Sequence, residues 1–138
     1  VKLVIGGRQF LKSVLWDYCV RHFKTENIFI IDSLPLFDPY AISRVNVAMA
    51  RQLLVKIRIA RPFTFYQLKE KAFSLTKLNL QEATVIVSCV DSFDVKNMNE
   101  KIAIYKMINQ ALLRLDCKVI LGFKKENKLF EGERWVEQ

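Results

Sequence analysis

Gly6-Gly7-Arg8-Gln9-Phe10-Leu11-Lys12-Ser13 fits the pattern G-x-x-x-x-G-K-[ST] except at Leu11, which stands where the pattern has its second glycine. In that pattern a strand runs into a glycine-rich loop and then a helix, and the loop wraps backbone N–H groups around phosphates. A Cβ at the second glycine obstructs close approach or a left-handed backbone. The stretch therefore predicts an α/β unit in which Gly6, Gly7, Lys12 and Ser13 are candidate phosphate contacts. Leu11 is a departure at the most sensitive point.

On the amino side, residues 1–5 are apolar enough for a short buried strand. On the carboxyl side, 12–23 makes a helix with Leu15, Cys19 and Phe23 on one stripe. Residues 27–31 are apolar on both faces, as in a parallel sheet covered on each side by helices. Asp38 before Pro39 starts a helix running to about Leu54, after which Val55, Ile57 and Ile59 alternate with Lys56 and Arg58 as a third strand. A short helix over 64–74 and the most apolar strand, 84–90, come next, and Asp91 closes that strand.

The clearest helix is 97–115, where Met98, Ile102, Tyr105, Ile108, Leu112 and Leu115 recur at spacings of three and four. A fifth strand spans 118–123, and the polar 124–128 leads into a terminal strand or hairpin around Leu129 and Phe130, antiparallel to the rest. Strands and helices alternate throughout. The order predicts a three-layer α/β fold, a mainly parallel sheet with right-handed crossovers and helices on both faces.

The 138 residues are 51% hydrophobic with four glycines and three prolines, which predicts one domain over 1–138 without a long linker. No apolar run approaches the ~20 residues of a membrane helix and no leader opens the chain, so a cytoplasmic protein without membrane contact is expected. Cys19, Cys89 and Cys117 are odd in number, far apart and set in apolar stretches, which predicts buried reduced thiols. His22 is the sole histidine, which excludes a His-rich metal site and leaves it a surface or helix-terminus role. Core packing or terminal anchoring is the reading for Trp16 and Trp135.

Charge points toward polyanions: 22 Lys and Arg against 14 Asp and Glu give a formal +8. The cations are dispersed except in Lys124-Lys125-Glu126-Asn127-Lys128, so Lys124, Lys125 and Lys128 are the candidate nucleic-acid contacts. One local echo adds to this. Ile31-Asp32-Ser33 and Val90-Asp91-Ser92 each put Asp-Ser at the carboxyl end of a buried strand, the edge where ligands bind in an open α/β sheet. Asp32 also has a structural reading, a carboxylate that accepts backbone N–H groups of the loop after it.

Four segments in this order resemble the ATPase core of the RecA/RadA recombinase superfamily, which includes KaiC-like proteins. Gly6 to Ser13 takes the Walker A position, and Ile31-Asp32-Ser33-Leu34-Pro35-Leu36-Phe37-Asp38-Pro39 is similar to the family's I-D-T-E-G-x-F-x-P. Ala60-Arg61-Pro62-Phe63 is similar to its A-R-A-F, and Val87-Ser88-Cys89-Val90-Asp91-Ser92 to its Walker B strand. The resemblance implies a RecA-like P-loop fold in which ATP and magnesium are the cofactors to consider. Lys12 would reach the β and γ phosphates, and Ser13 and Asp91 would hold the magnesium.

The departures fall on catalysis. Leu34 stands where the resemblance puts the glutamate that activates water, and a leucine can neither accept a proton nor hold a water. The resemblance then implies a domain that has lost ATP hydrolysis and acts as an accessory or regulatory binding module in DNA recombination or repair. Its partners would be DNA, a RecA-like protein or further copies of itself. Three alternatives stay open: an oligomer-dependent ATPase completed by a neighbouring subunit, a nucleotide-independent nucleic-acid binder, and a protein-interaction scaffold.

Overall fold

The computed structural model describes residues 1–38 and 47–138. Among these, six strands form one sheet: β1 (Lys2–Ile5), β2 (Asn27–Ile31), β3 (Ile57–Ala60), β4 (Ala83–Val87), β5 (Lys118–Phe123) and β6 (Glu133–Val136). The spatial order is β3-β2-β4-β5-β1-β6, and every neighbouring pair is parallel. Four helices are described: α1 (Arg8–His22), α2 (Val47–Lys56), α3 (Phe65–Leu75) and α4 (Met98–Leu113).

Side chains alternate across a strand, and in this sheet both sets are apolar. Leu3, Ile5, Val85, Val87, Val119, Leu121 and Phe123 face a core completed by Phe65, Leu68 and Ala72 of α3 and Ile104, Ile108 and Leu112 of α4. Val4, Ile28, Ile30, Ile86 and Ile120 face the other way, onto Leu11, Leu15 and Cys19 of α1 and Leu53 of α2. The result is three layers with α1 and α2 on one face and α3 and α4 on the other. Each fully buried β4 side chain, such as Val85 or Ile86, contributes about 1.5–3 kcal/mol relative to exposure.

Local signals set the helix starts. Thr64 caps α3 by accepting the Gln67 N–H at 3.1 Å, and Asn97 caps α4 by accepting that of Glu100 at 3.1 Å. Gly122 lies where β5 passes beneath α1. A Cβ there would run into the Ser88 carbonyl and stand 3.3 Å from Leu11 Cδ2, so only glycine fits.

Several boundaries differ from the sequence expectation. α1 begins at Arg8, directly after the glycine pair, rather than at Lys12. Val55 and Lys56 complete α2 instead of opening β3, and β4 ends at Val87. The helix start at Asp38 and Pro39 bears on 39–46 and lies outside the described residues. Cys117 is half-buried, whereas Cys19 and Cys89 are buried, and all three thiols are free.

The terminal strand is the main correction. It is not an antiparallel hairpin around Leu129 and Phe130 but β6, parallel to β1 with Lys2 opposite Glu133 and Ile5 opposite Val136. A parallel neighbour requires the chain leaving β5 to return to the opposite edge of the sheet before β6 can start. Phe130 anchors that return. It is fully buried against Phe123 and Tyr105, and Asn109 of α4 donates to the Leu129 carbonyl at 3.2 Å.

Candidate functional site

Because the strands are parallel, the carboxyl ends of β1, β2, β4 and β5 open on one rim. The segments following β2 and β4 are joined there by their hydroxyls. Ser33 Oγ donates to the Cys89 carbonyl and accepts its N–H at 3.2 Å, and Ser88 Oγ accepts the Leu34 N–H at 3.0 Å and donates to its carbonyl at 3.2 Å. Ser92 Oγ donates to the Ser33 carbonyl at 3.2 Å. The two Asp-Ser pairs seen in the sequence do meet. Leu34, at the glutamate position of the resemblance, packs partly buried against the α1-side core.

Asp32 is buried, and its carboxylate accepts the N–H groups of Leu36 at 3.1 Å and Phe37 at 3.2 Å. Arg61, itself half exposed, adds an ion pair at 3.3 Å and donates to the Phe37 carbonyl. The structural reading of Asp32 therefore holds. The carboxylate organises the loop after β2, and Arg61 of the A-R-P-F segment closes over it.

Asp91 has different company. Its Oδ1 accepts the Lys124 N–H at 2.7 Å and its Oδ2 the Lys125 N–H at 3.0 Å, while Cys89 Sγ donates to Oδ1 at 3.1 Å. It lines a polar groove of about 560 Å³ shared with Asp94, Lys101, Tyr105, Lys124 and Glu126, on the α4 side of the sheet. Burial, then the Asp91 charge, pushes the Tyr105 hydroxyl up to about 12, and the same two causes push the Cys89 thiol up. Both stay protonated at neutral pH. Glu126 is paired with Arg134 at 2.8 Å, which leaves Lys101, Lys124 and Lys125 against the Asp91 and Asp94 carboxylates, an excess of one positive charge in the groove lining.

Lys101 and Tyr105 were missed as site residues. Their signal was present, since both lie one turn or two beyond the Asn97 cap and four residues apart on α4. Lys128 is exposed and lies outside the groove lining.

Gly6 and Gly7 connect β1 to α1 without an intervening loop, because Arg8 to Ser13 already lie within the helix. The Leu11 N–H is committed to the Gly7 carbonyl at 3.0 Å. Lys12 is partly exposed and Ser13 exposed, and among the described residues neither side chain has a hydrogen-bond or ion-pair partner. Ser13 lies within α1 and Asp91 in the groove beside α4, and among the described residues no hydrogen bond joins them.

The opposite edge of the sheet carries a separate polar cluster. Glu26 accepts from Thr84 Oγ1 at 2.6 Å, Tyr18 OH at 2.7 Å and Lys118 Nζ at 3.0 Å, with His22 Nδ1 3.8 Å away. Burial opposes the Glu26 charge, yet these bonds outweigh it and hold the carboxyl below its ordinary value. Burial pushes the Tyr18 hydroxyl up to about 12. The cluster ties α1, β2, β4 and β5 together, away from the rim.

The sequence matches no protein-family model and no curated protein sequence. Its structure is similar to the crystal structure of the RadB recombinase, with a TM-score of 0.67 at 10% identity over 90% of this chain. The chain spans 60% of that protein's length. No described helix is long and apolar enough to cross a membrane. The strand order, the parallel ladder and this similarity together establish that the chain has a RecA-like fold.

Proposed function

We propose that this chain is a RecA-like binding module of DNA recombination or repair that does not hydrolyse ATP and that holds nucleic-acid phosphates at the groove beside Asp91. The Asp91 carboxylate carries the reading, because both its oxygens accept backbone N–H groups of the Lys124-Lys125 turn. That commitment fixes the turn and leaves both lysine ammonium groups exposed beside Lys101.

Mg-ATP does not fit the residues present. The N–H groups that would cradle phosphates are used within α1 from Leu11 onward, the Phe10 ring fills the space beside Gly6 where a Cβ would stand, and Leu34 offers no base. Ser13 lies within α1 and Asp91 beyond the end of β4, in the groove beside α4, with no hydrogen bond between them. The groove, by contrast, suits a polyanion. Its lysines sit on a rigid rim, and phosphate contacts by Lys101, Lys124 and Lys125 would give a salt slope of roughly −2 to −3 in log K against log salt.

Two titrations test this. Isothermal titration with ATP and a non-hydrolysable analogue in magnesium, beside Lys12→Ala, should show no Lys12-dependent heat; a tight Lys12-dependent signal would restore a nucleotide role and favour an ATPase completed by a neighbouring subunit. Anisotropy with a labelled oligonucleotide across a KCl series should show binding whose slope shrinks by about 2 in Lys124→Ala/Lys125→Ala. Binding that ignores these lysines would refute the groove as the phosphate site, and no binding at any salt concentration would leave the protein-scaffold reading in its place.

A further inference from the structure

An α-helix leaves its first N–H groups without partners inside the helix, and a side-chain oxygen or a nearby anion normally satisfies them. α1 has neither within its own sequence. Its N-cap is Gly7, which makes no side-chain cap, and no acidic residue lies in the first turn. The acceptor comes instead from Glu137. β6 runs alongside β1, the Glu137 N–H continues the pairing to the Ile5 carbonyl at 2.8 Å, and Glu137 Oε1 accepts the Gly7 N–H at 3.0 Å.

The turn is shaped around this contact. A Cβ on Gly6 would stand 2.8 Å from Glu137 Cβ and run into the Phe10 ring, so glycine is required for the β6 end to close down. Arg8 is tethered nearby, donating to the Pro35 carbonyl at 2.9 Å. A carboxylate, the positive end of a 15-residue helix and a bare glycine amide thus meet at one point.

We infer that Glu137 is a built-in anion: its carboxylate occupies the place at the α1 N-terminus where the resemblance puts phosphate, and keeps the Gly6-Gly7 turn closed to external anions. The inference deepens the proposed function and rests on it in taking α1 as closed to a triphosphate. It predicts that removing the carboxylate creates an anion site that the natural chain lacks. The consequence is a rescue that a merely structural side chain would not give.

The test compares the full chain with Glu137→Ala and Glu137→Gln, using inorganic phosphate and sulfate as probes and chloride at matched ionic strength as the control. In chloride, Glu137→Ala should melt about 1–4 °C lower than the natural chain, with Glu137→Gln between them. Millimolar phosphate should restore most of that loss in Glu137→Ala, leave the natural chain nearly unmoved, and shift the Gly7 amide resonance only in the variant. An equal phosphate response in both chains, or a variant whose melting point and Gly7 amide match the natural chain, overturns the inference. A failed rescue with a silent ATP titration sinks Glu137's role alone. Lys12-dependent ATP binding to the natural chain sinks the proposed function itself.

Discussion

Asp32→Ala removes a single carboxylate and leaves the loop after β2 with its donors stranded. The Leu36 and Phe37 N–H groups it serves belong to residues that are 2% and 3% exposed, so water cannot replace it without opening the loop. An orphaned buried donor costs about 1–3 kcal/mol, and two of them put the loss at roughly 2–6 kcal/mol. That is a large share of the roughly 5–15 kcal/mol that holds a domain folded. Arg61→Ala should cost only about 1 kcal/mol, because the guanidinium is half exposed and Asp32 keeps both backbone donors without it. Urea unfolding at neutral pH, followed by far-ultraviolet circular dichroism, measures both. Asp32→Asn should fall between, since one oxygen still accepts while the amide opposes the second donor. If Asp32→Ala costs under about 1 kcal/mol, or Arg61→Ala costs as much, the carboxylate does not organise the loop and the hydrogen-bond argument fails.

Glu26 gives a pH signature. Its folded carboxyl is held below the unfolded value, so the stabilisation is complete above about pH 4.3 and is lost as pH falls through the folded value; Glu26→Gln should lose less stability than the natural chain between pH 7 and pH 3. Parallel urea midpoints at the two pH values check this, and equal losses would contradict it. Gly122→Ala should cost about 3 kcal/mol or more, and adding Leu11→Ala should not recover it, because the obstruction is the Ser88 backbone carbonyl. Recovery in the double variant would put the clash on the side chain instead. Leu11→Gly, which completes the phosphate-loop pattern, should cost roughly 3–6 kcal/mol and yield no ATP binding by titration. A stable variant that binds ATP would refute that reasoning.

The central sheet was legible because its strands are short apolar runs bounded by polar residues, and 27–31 and 118–123 emerge with the expected bounds. Val55 differs from expectation because Val55, Ile57 and Ile59 alternate with Lys56 and Arg58, a period of two, while the helix α2, with Ala50 and Leu53 buried, carries on through Lys56. β6 gave no pattern at all. Its four residues are exposed, so neither face selects for apolar side chains and only backbone pairing with β1 defines it. On the rim, the Asp-Ser echo was informative because parallel strands end on one edge. What each aspartate does there was not readable. Asp32 is served by residues four and five positions on, a local pattern, but Asp91 takes N–H groups 33 and 34 residues away, and Glu137 reaches back 130.

Leu11 shows how a pattern so close to a phosphate loop is folded into a helix and a core. The same position is asked for two incompatible things. A phosphate cradle needs a residue without a Cβ, in a loop, with its N–H directed at the ligand. The α1-side core needs volume there. Leu11 is completely buried, packs above the one strand position where only glycine fits, and its N–H starts the helical hydrogen-bond series from Gly7. Removing that side chain would leave a cavity worth about 2–5 kcal/mol, and a glycine inside the helix would add about 1 kcal/mol. With Leu11 in the core the helix begins at Arg8, the glycine pair shrinks to a tight turn, and the exposed N-cap is left to whatever acceptor lies nearby. β6, parallel to β1, delivers Glu137 to that point. The buried leucine and the distant carboxylate are thus two halves of one arrangement, the first closing the loop into helix and the second satisfying the end the closure creates.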